Sequence, residues 1–322
     1  MISALFLSAI FFPFHTSAQD VVKLIYAETV KDAEGYQKAT TAVGNVQFQH
    51  ENTKLFCDSA LFFQKQEIVH AYGKVQINQG DTVNVFGDSL KYYGKTNLSK
   101  MMGNVRFRDN EYKLLTDSLD YDGNLSRGMY RNGAIITSIH QDLKLTSKVG
   151  YYFSNTKTFF FKDSVHAEHP SYEVFTDTLE FRTQTSSAHF HGPAVIHLDS
   201  SNTTIYCEKG VYLTEEDQIR LWDGATIVDS ARTLYADSLV YDQRADVGEG
   251  FCNVDMYDST ENIRFKSDYM HKLANNEEII LKDNAMVIQY SESDTLYLWA
   301  DTIRHYQDTL TDQQLSIAEN NV

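Results

Sequence analysis

The sequence predicts an elongated all-β fold built from about nine stacked units of some thirty residues, and three observations predict it. The first is a signature of the form Asp-Ser/Thr-aliphatic-x-aromatic. It recurs at anchors Asp58, Asp88, Asp117, Asp177, Asp237 and Asp301, with degenerate copies anchored at Ser147, Glu208 and Ser267. Successive anchors lie 30, 29, 30, 30, 31, 29, 30 and 34 residues apart. A fixed period of this size means stacked units, none of which buries its apolar face alone. The second is a Gly-centred segment some fourteen residues before each anchor: Gly44-Asn45-Val46, Gly73-Lys74-Val75, Gly103-Asn104-Val105, Gly133-Ala134-Ile135, Gly192-Pro193-Ala194 and Gly224-Ala225-Thr226. Asp163-Ser164-Val165, Cys252-Asn253-Val254 and Asp283-Asn284-Ala285 are weaker copies. The third is composition: 20 Tyr and 19 Phe against three prolines favour strands over helices.

In chain order, residues 1–18 carry no charge, and Ile2 to Phe14 form an apolar run of secretory length that ends before the small residues Thr16-Ser17-Ala18. Too short to span a bilayer, this stretch reads as a signal peptide, which places the mature chain outside the cytoplasm. Residues 19–42 read as lead-in strands. Within 43–310 each unit reads as a hairpin. Val75 and Ile77 alternate with Lys74, Gln76 and Asn78 up to a break at Gln79-Gly80-Asp81, after which Thr82 to Tyr93 resumes period two. Residues 311–322 read as a polar tail.

Around each anchor the pattern is regular. Two residues before it stand Phe56, Phe86, Leu115, Leu145, Phe175, Tyr206, Tyr235, Phe265 and Trp299, and the aliphatic and aromatic follow two and four residues after it. The Asp shares their parity, and a carboxylate on an apolar face is costly unless bonded. Asp58, Asp88, Asp117, Asp177, Asp237 and Asp301 therefore read as bends or bulges whose carboxylates accept backbone N–H groups. The sheet must fold over so that one set of side chains lines an interior. Period two leaves both parities open; the lining set taken here is Val46, Val75, Val105, Ile135 and Val165 from the Gly segment, with Leu90, Leu119, Val149, Leu179 and Leu239 from the Asp signature. Both ends of such a sheet present unpaired edges, which are templates for another strand.

Charge and motifs narrow the function. With 28 basic and 44 acidic residues, a balance of −16, the chain is ill suited to nucleic acid or to anionic head groups. A lipid would be gripped by its tails, where ~0.8 kcal/mol per methylene gives on the order of 10 kcal/mol for a dozen carbons. Cys57, Cys207 and Cys252 are an odd count. Cys57 and Cys207 hold one repeat position five units apart, far beyond the roughly 7 Å limit for a disulfide, so buried free thiols are expected. His189-x-His191, with His197 near, puts two imidazoles on one strand face, but no companion Cys, Asp or Glu completes a zinc set, and His166, His169 and His305 are scattered. One acid per thirty residues is too sparse for a calcium β-roll. No metal and no cofactor is expected. Nucleotide-binding, nucleophile-elbow and zincin motifs are absent from the sequence, and an enzyme is not expected.

Val43-Gly44-Asn45-Val46, Met102-Gly103-Asn104-Val105 and Thr116-Asp117-Ser118-Leu119-Asp120-Tyr121-Asp122 carry a repeat that resembles the OstA-like family over about residues 43–306. The resemblance implies an open β-jellyroll whose apolar trough takes the acyl chains of lipopolysaccharide. It also implies edge-to-edge joining with other jellyroll domains, or with copies of itself head to tail, as a bridge in the periplasm. The competing reading is a structural or carbohydrate-binding extracellular solenoid. A bridge for lipid keeps its interior open, whereas a structural solenoid fills it with side chains.

Overall fold

Alternating sequence on both sides of each turn builds strands throughout the computed structural model, which describes residues 21–32, 39–79, 83–140, 142–199, 202–273, 278–308, 311 and 313–322. The expected signal peptide lies outside the described residues. Among the described residues, twenty-five strands run antiparallel in one continuous ladder, each hydrogen-bonded to the strands that lie beside it. Ten of them are half-strands lying end to end in five rows, such as Arg127–Tyr130 with Ala134–Ser138, so the ladder is twenty rows deep. At about 4.8 Å per row it spans roughly 90 Å. Among the described residues no helix is long and apolar enough to cross a membrane.

Each full row bends at its middle. In Thr40–His50 the bend is Gly44 (φ +84°) followed by Asn45 (φ +47°), and the pair lies opposite a single residue, Asp58, because Val43 faces Ser59 while Val46 faces Cys57. Two residues against one is a bulge. The same pair of left-handed residues recurs at Gly73/Lys74, Gly103/Asn104, Asp163/Ser164, Asp223/Gly224, Cys252/Asn253, Asp283/Asn284 and Asn320/Asn321. Gly, Asn and Asp dominate these corners because the left-handed region costs other residues roughly 1–2 kcal/mol.

The corners fold the ladder into two facing leaves. Phe48 pairs in register with Leu55, seven residues along its strand from Phe62, a separation of roughly 23 Å if that strand were straight. Yet the two rings meet edge to face at 5.3 Å. Tyr112 with Phe159 at 5.4 Å, Tyr172 with Tyr212 at 6.3 Å and Phe265 with His305 at 4.9 Å bridge the leaves in the same way further along.

The bulge inverts the facing of the Asp strand. In Thr53–Phe63 the buried residues are Leu55 and Cys57 before the corner and Ala60 and Phe62 after it. The inward set is therefore −3, −1, +2 and +4 from the Asp, and the residue at −2 points out even though its sequence parity matches +2. Phe175, Tyr206, Tyr235 and Trp299 accordingly stand exposed.

Two apolar clusters result, one from Val22 to Val105 and one from Tyr130 to Ile303. At one end, among the described residues, Lys23–Tyr26 and Thr29–Asp32 pair with Thr40–His50 alone. At the other, Gln313–Glu319 pairs with Thr302 to Asp308 of the preceding strand. The stretch read as a polar tail thus holds a strand, in which Leu315 and Ile317 alternate with polar neighbours. That strand covers only part of its partner, and Leu296 (65 % exposed) and Trp299 (56 %) lie on the uncovered part.

Candidate functional site

Between the leaves, from Tyr112 to Gln314, runs a cavity of 760 Å³. One wall is Ile136, Leu145, Ile196, Ile205 and Leu234; the other is Phe159, Phe161, Leu179, Phe181, Ile219 and Leu239. Its mouth is polar. Arg244 and Lys272 stand on one rim and Arg232 on the other, each tied to a carboxylate: Arg244 to Asp217 at 2.8 Å, Lys272 to Asp246 at 2.9 Å and Arg232 to Asp258 at 2.9 Å. An apolar slot with charged lips suits an amphiphile, whose tail enters and whose polar end stays at the mouth.

The floor of the slot is fitted by size. A Cβ on Gly150 would lie 2.3 Å from the Tyr130 ring, and one on Gly210 would lie 2.6 Å from Leu221. Tyr130 crosses the floor with its hydroxyl 2.6 Å from the buried Ser147 Oγ. Burial pushes the Tyr130 phenol up to about 12, with the Ser147 hydrogen bond acting the other way.

Of the ten residues expected to line the interior, Leu179 and Leu239 line this cavity. Val46, Val75, Val105 and Leu90 are buried in the N-terminal cluster, Leu119 is half-buried against it, and Val165 is buried in the C-terminal cluster. Ile135 and Val149 face outward, and both misplacements have one cause. Either position of a corner accepts Gly, so aligning units on Gly slips the register by one wherever Gly takes the second position, as Gly133 (φ +85°) does. At Asn132-Gly133 the inward residues are Ala134 and Ile136 (5 % exposed), while Ile135 is 41 % exposed. Likewise Lys148, whose N–H donates to the Asp163 carbonyl, holds the Asp slot that the sequence assigned to Ser147. Gly150 is then the inward residue and half-buried Val149 is not.

The corner acids bond differently from expectation. Asp88, Asp237 and Asp301 accept the side-chain amides of Asn104, Asn253 and Asn321 at 2.7, 2.8 and 2.8 Å. The N–H groups of Asp237 and Asp301 are donors, to the carbonyls of Cys252 and Asn320. Asp268 and Glu28 fill the same slot, accepting from Asn284 and Asn45. Asp58 instead has Lys74 Nζ at 3.9 Å, and Asp117 and Asp177 stand exposed at corners where Gly133 and Pro193 replace that Asn. The two repeat markers are thus one device: an Asp on one strand holds the Asn of the next corner.

Other candidates resolve into local pairs. His191 Nε2 and Arg182 Nε lie 2.7 and 2.6 Å from the Glu180 carboxylate, and His189 bonds Ser187. Burial opposes charge on Glu180, yet those two donors hold it below the ordinary carboxylate range. Cys57 and Cys207 are free and buried, and burial raises both thiols to about 11. Cys252 differs from expectation: it takes the first left-handed position of a corner and is exposed.

Sequence reasoning missed Phe159, Phe161, Ile136, Ile196, Ile205 and Ile219 as lining residues. The signal was present in the signature's own last residue: the aromatic four places after the Asp slot, seen in Phe181, Tyr212 and Tyr241, faces the cavity.

Residues 19–177 match the family model described as OstA-like protein. No curated protein matches the chain. With the paired Gly-Asn and Asp corners repeating through that span, the chain belongs to the OstA-like family.

Proposed function

We propose that this protein is a lipid-binding bridge or chaperone in lipopolysaccharide transport and outer-membrane assembly. It takes acyl chains into the trough and joins other jellyroll domains edge to edge. The observation that carries the reading is the 760 Å³ apolar slot, kept open between the leaves where a purely structural solenoid would be filled. Family membership adds the substrate class. The half-covered strand Thr295–Asp308 at one end and the short paired strands at the other supply edges for strand addition, which gives a partner a backbone template without a dedicated pocket. Export through residues 1–18 to the periplasm is part of the same proposal.

Adjacent isoleucines on opposite faces provide the test. A photo-crosslinking residue at 136, inside, captures lipopolysaccharide in the native envelope, and the same residue at 135, outside, does not. Val195 and Ile196 repeat the contrast two units further on, half-exposed against lining. Equal labelling at 135 and 136 rejects the trough as the binding site.

A further inference from the structure

Outside the trough, on the outer face of one leaf, five strands line up Lys144, Glu168, Glu173, His197 and Thr204 in one cross-strand row. Two carboxylates directly opposite each other repel and destabilise a ladder, so something must hold Glu168 and Glu173 together. Lys144 Nζ meets one oxygen of Glu168 at 2.9 Å. His166, in the neighbouring row, sits between the acids, with Nε2 2.7 Å from Glu173 and Nδ1 3.5 Å from the other Glu168 oxygen. Its ring is fixed by stacking on Phe175 at 4.4 Å with planes 7° apart.

The ligand atoms of His166, Glu168 and Glu173 all lie within 4.8 Å of one another, close enough to converge on one ion after small side-chain rotations. Zinc bonds to nitrogen and oxygen are about 2.0–2.2 Å. His197 flanks Glu173 in register, and its Nδ1 is 3.0 Å from the Thr204 hydroxyl. That outer hydrogen bond orients an imidazole to bind metal through Nε2. Sequence spacing hides the set because its four members come from three strands.

We propose that His166, Glu168, Glu173 and His197 form a zinc site that clamps three adjacent strands on the outer face of the sheet. Two imidazoles with two carboxylates favour zinc over calcium or magnesium, which take oxygen. The metal would supply the positive charge that the paired acids need, in competition with Lys144.

The test is calorimetric titration of the full-length, metal-stripped protein with zinc chloride and, separately, calcium chloride. One equivalent of zinc binds and calcium does not. His166→Ala and Glu173→Gln each weaken zinc binding by about 100-fold or more, beyond what losing an outer-shell partner costs, and His197→Ala weakens it by at least about tenfold. Lys144→Ala, which removes the competing cation, tightens it. Circular dichroism checks that each variant keeps its strands, and Glu173→Gln preserves shape should His166→Ala misfold. Absence of stoichiometric uptake by the wild type, or wild-type affinity in any of the three ligand variants, overturns the assignment and leaves His166 as a hydrogen-bonded member of a local polar cluster.

Discussion

The interior between Val22 and Val105 and the interior beyond Tyr112 are built from the same corner and the same hairpin, yet one is shut and the other open. Matched positions show why. Phe62 and Phe181 both stand four residues after their Asp. Phe62 meets Phe48 from the opposite leaf, and beside them His50 and Tyr92 hydrogen bond across the gap, so the leaves touch. Phe181 lines the cavity. Corners fix the geometry of the leaves, and the side chains projecting between them decide whether the space holds protein or ligand.

The sharpest way to break this comparison is to truncate the matched aromatics. Phe62→Ala empties a closed core and is expected to cost about 3–5 kcal/mol. Phe181→Ala enlarges a space that already exists and should cost well under half of that. Guanidinium denaturation followed by hydrogen exchange reads both, and equal losses would mean that the two interiors are packed alike.

A second pair probes the floor. Gly150→Ala pushes a methyl into Tyr130, which its hydroxyl bond to buried Ser147 prevents from swinging aside, so overpacking of roughly 1–3 kcal/mol is expected. At Gly87 the same methyl would lie 2.6 Å from Met101 Cγ. Methionine bends out of the way, and Gly87→Ala should be several-fold milder. Comparable melting shifts for the two variants would remove the claim that the floor under the cavity is the more rigid.

Corners should behave alike in both regions. Asn104→Ala and Asn284→Ala each lose a left-handed preference and an amide bond to an Asp, together about 1–2 kcal/mol. Asn→Gly at either site should recover the backbone part alone. A large difference between the two sites would show that corner stability depends on the interior it encloses.

The repeat and its strands were legible in the sequence because they follow from period and from residue type; the bulge was read at the Asp, whereas its left-handed pair stands on the neighbouring strand opposite. Facing was less legible. Phe56, Asp58 and Ala60 share sequence parity, but a single bulge between them sends Phe56 out and Ala60 in, and parity carries no record of it. Ile135 illustrates the second limit: Gly133 marks a corner without saying which of its two positions it fills. The resemblance implied an open trough, but which stretch of the interior opens was not legible, since Leu90 and Leu239 hold one repeat position yet meet a packed core and a ligand-sized space respectively. What separates them is the set of side chains that many strands jointly project between the leaves. The Asp–Asn link falls between these cases. Both residues stood in the markers, but their sixteen-residue separation becomes a contact only when each corner lies beside the next.

Acid should separate the two regions most gently. Besides exposed Glu168, which the Lys144 hydrogen bond holds down, four carboxyls are held below their ordinary range, and these four lie between residues 180 and 258. Burial opposes each charge, and the donors that outweigh it are Arg182 and His191 for Glu180, Lys272 and Tyr241 for Asp246, Arg264 and Lys266 for Asp255, and Arg232 with the Glu261 and Thr260 N–H groups for Asp258. A folded-state pKa below the unfolded value of about 4 gives stability that is complete above that value and is lost as pH falls through the folded pKa. Each pair is partly solvated and so contributes about 0–1 kcal/mol, which makes the effect regional rather than global. Hydrogen exchange, corrected for intrinsic rates, should show protection falling between pH 5 and 3 first around residues 180–258 and later in the closed cluster of Val46, Phe48 and Phe62. Those four acids brace the rims and the outer wall of the open half, where ring contacts such as Tyr172–Tyr212 and Phe265–His305 cross between the leaves beside an open space. Simultaneous loss along the whole ladder would mean that the leaves melt as one unit and that the open half depends on the closed one.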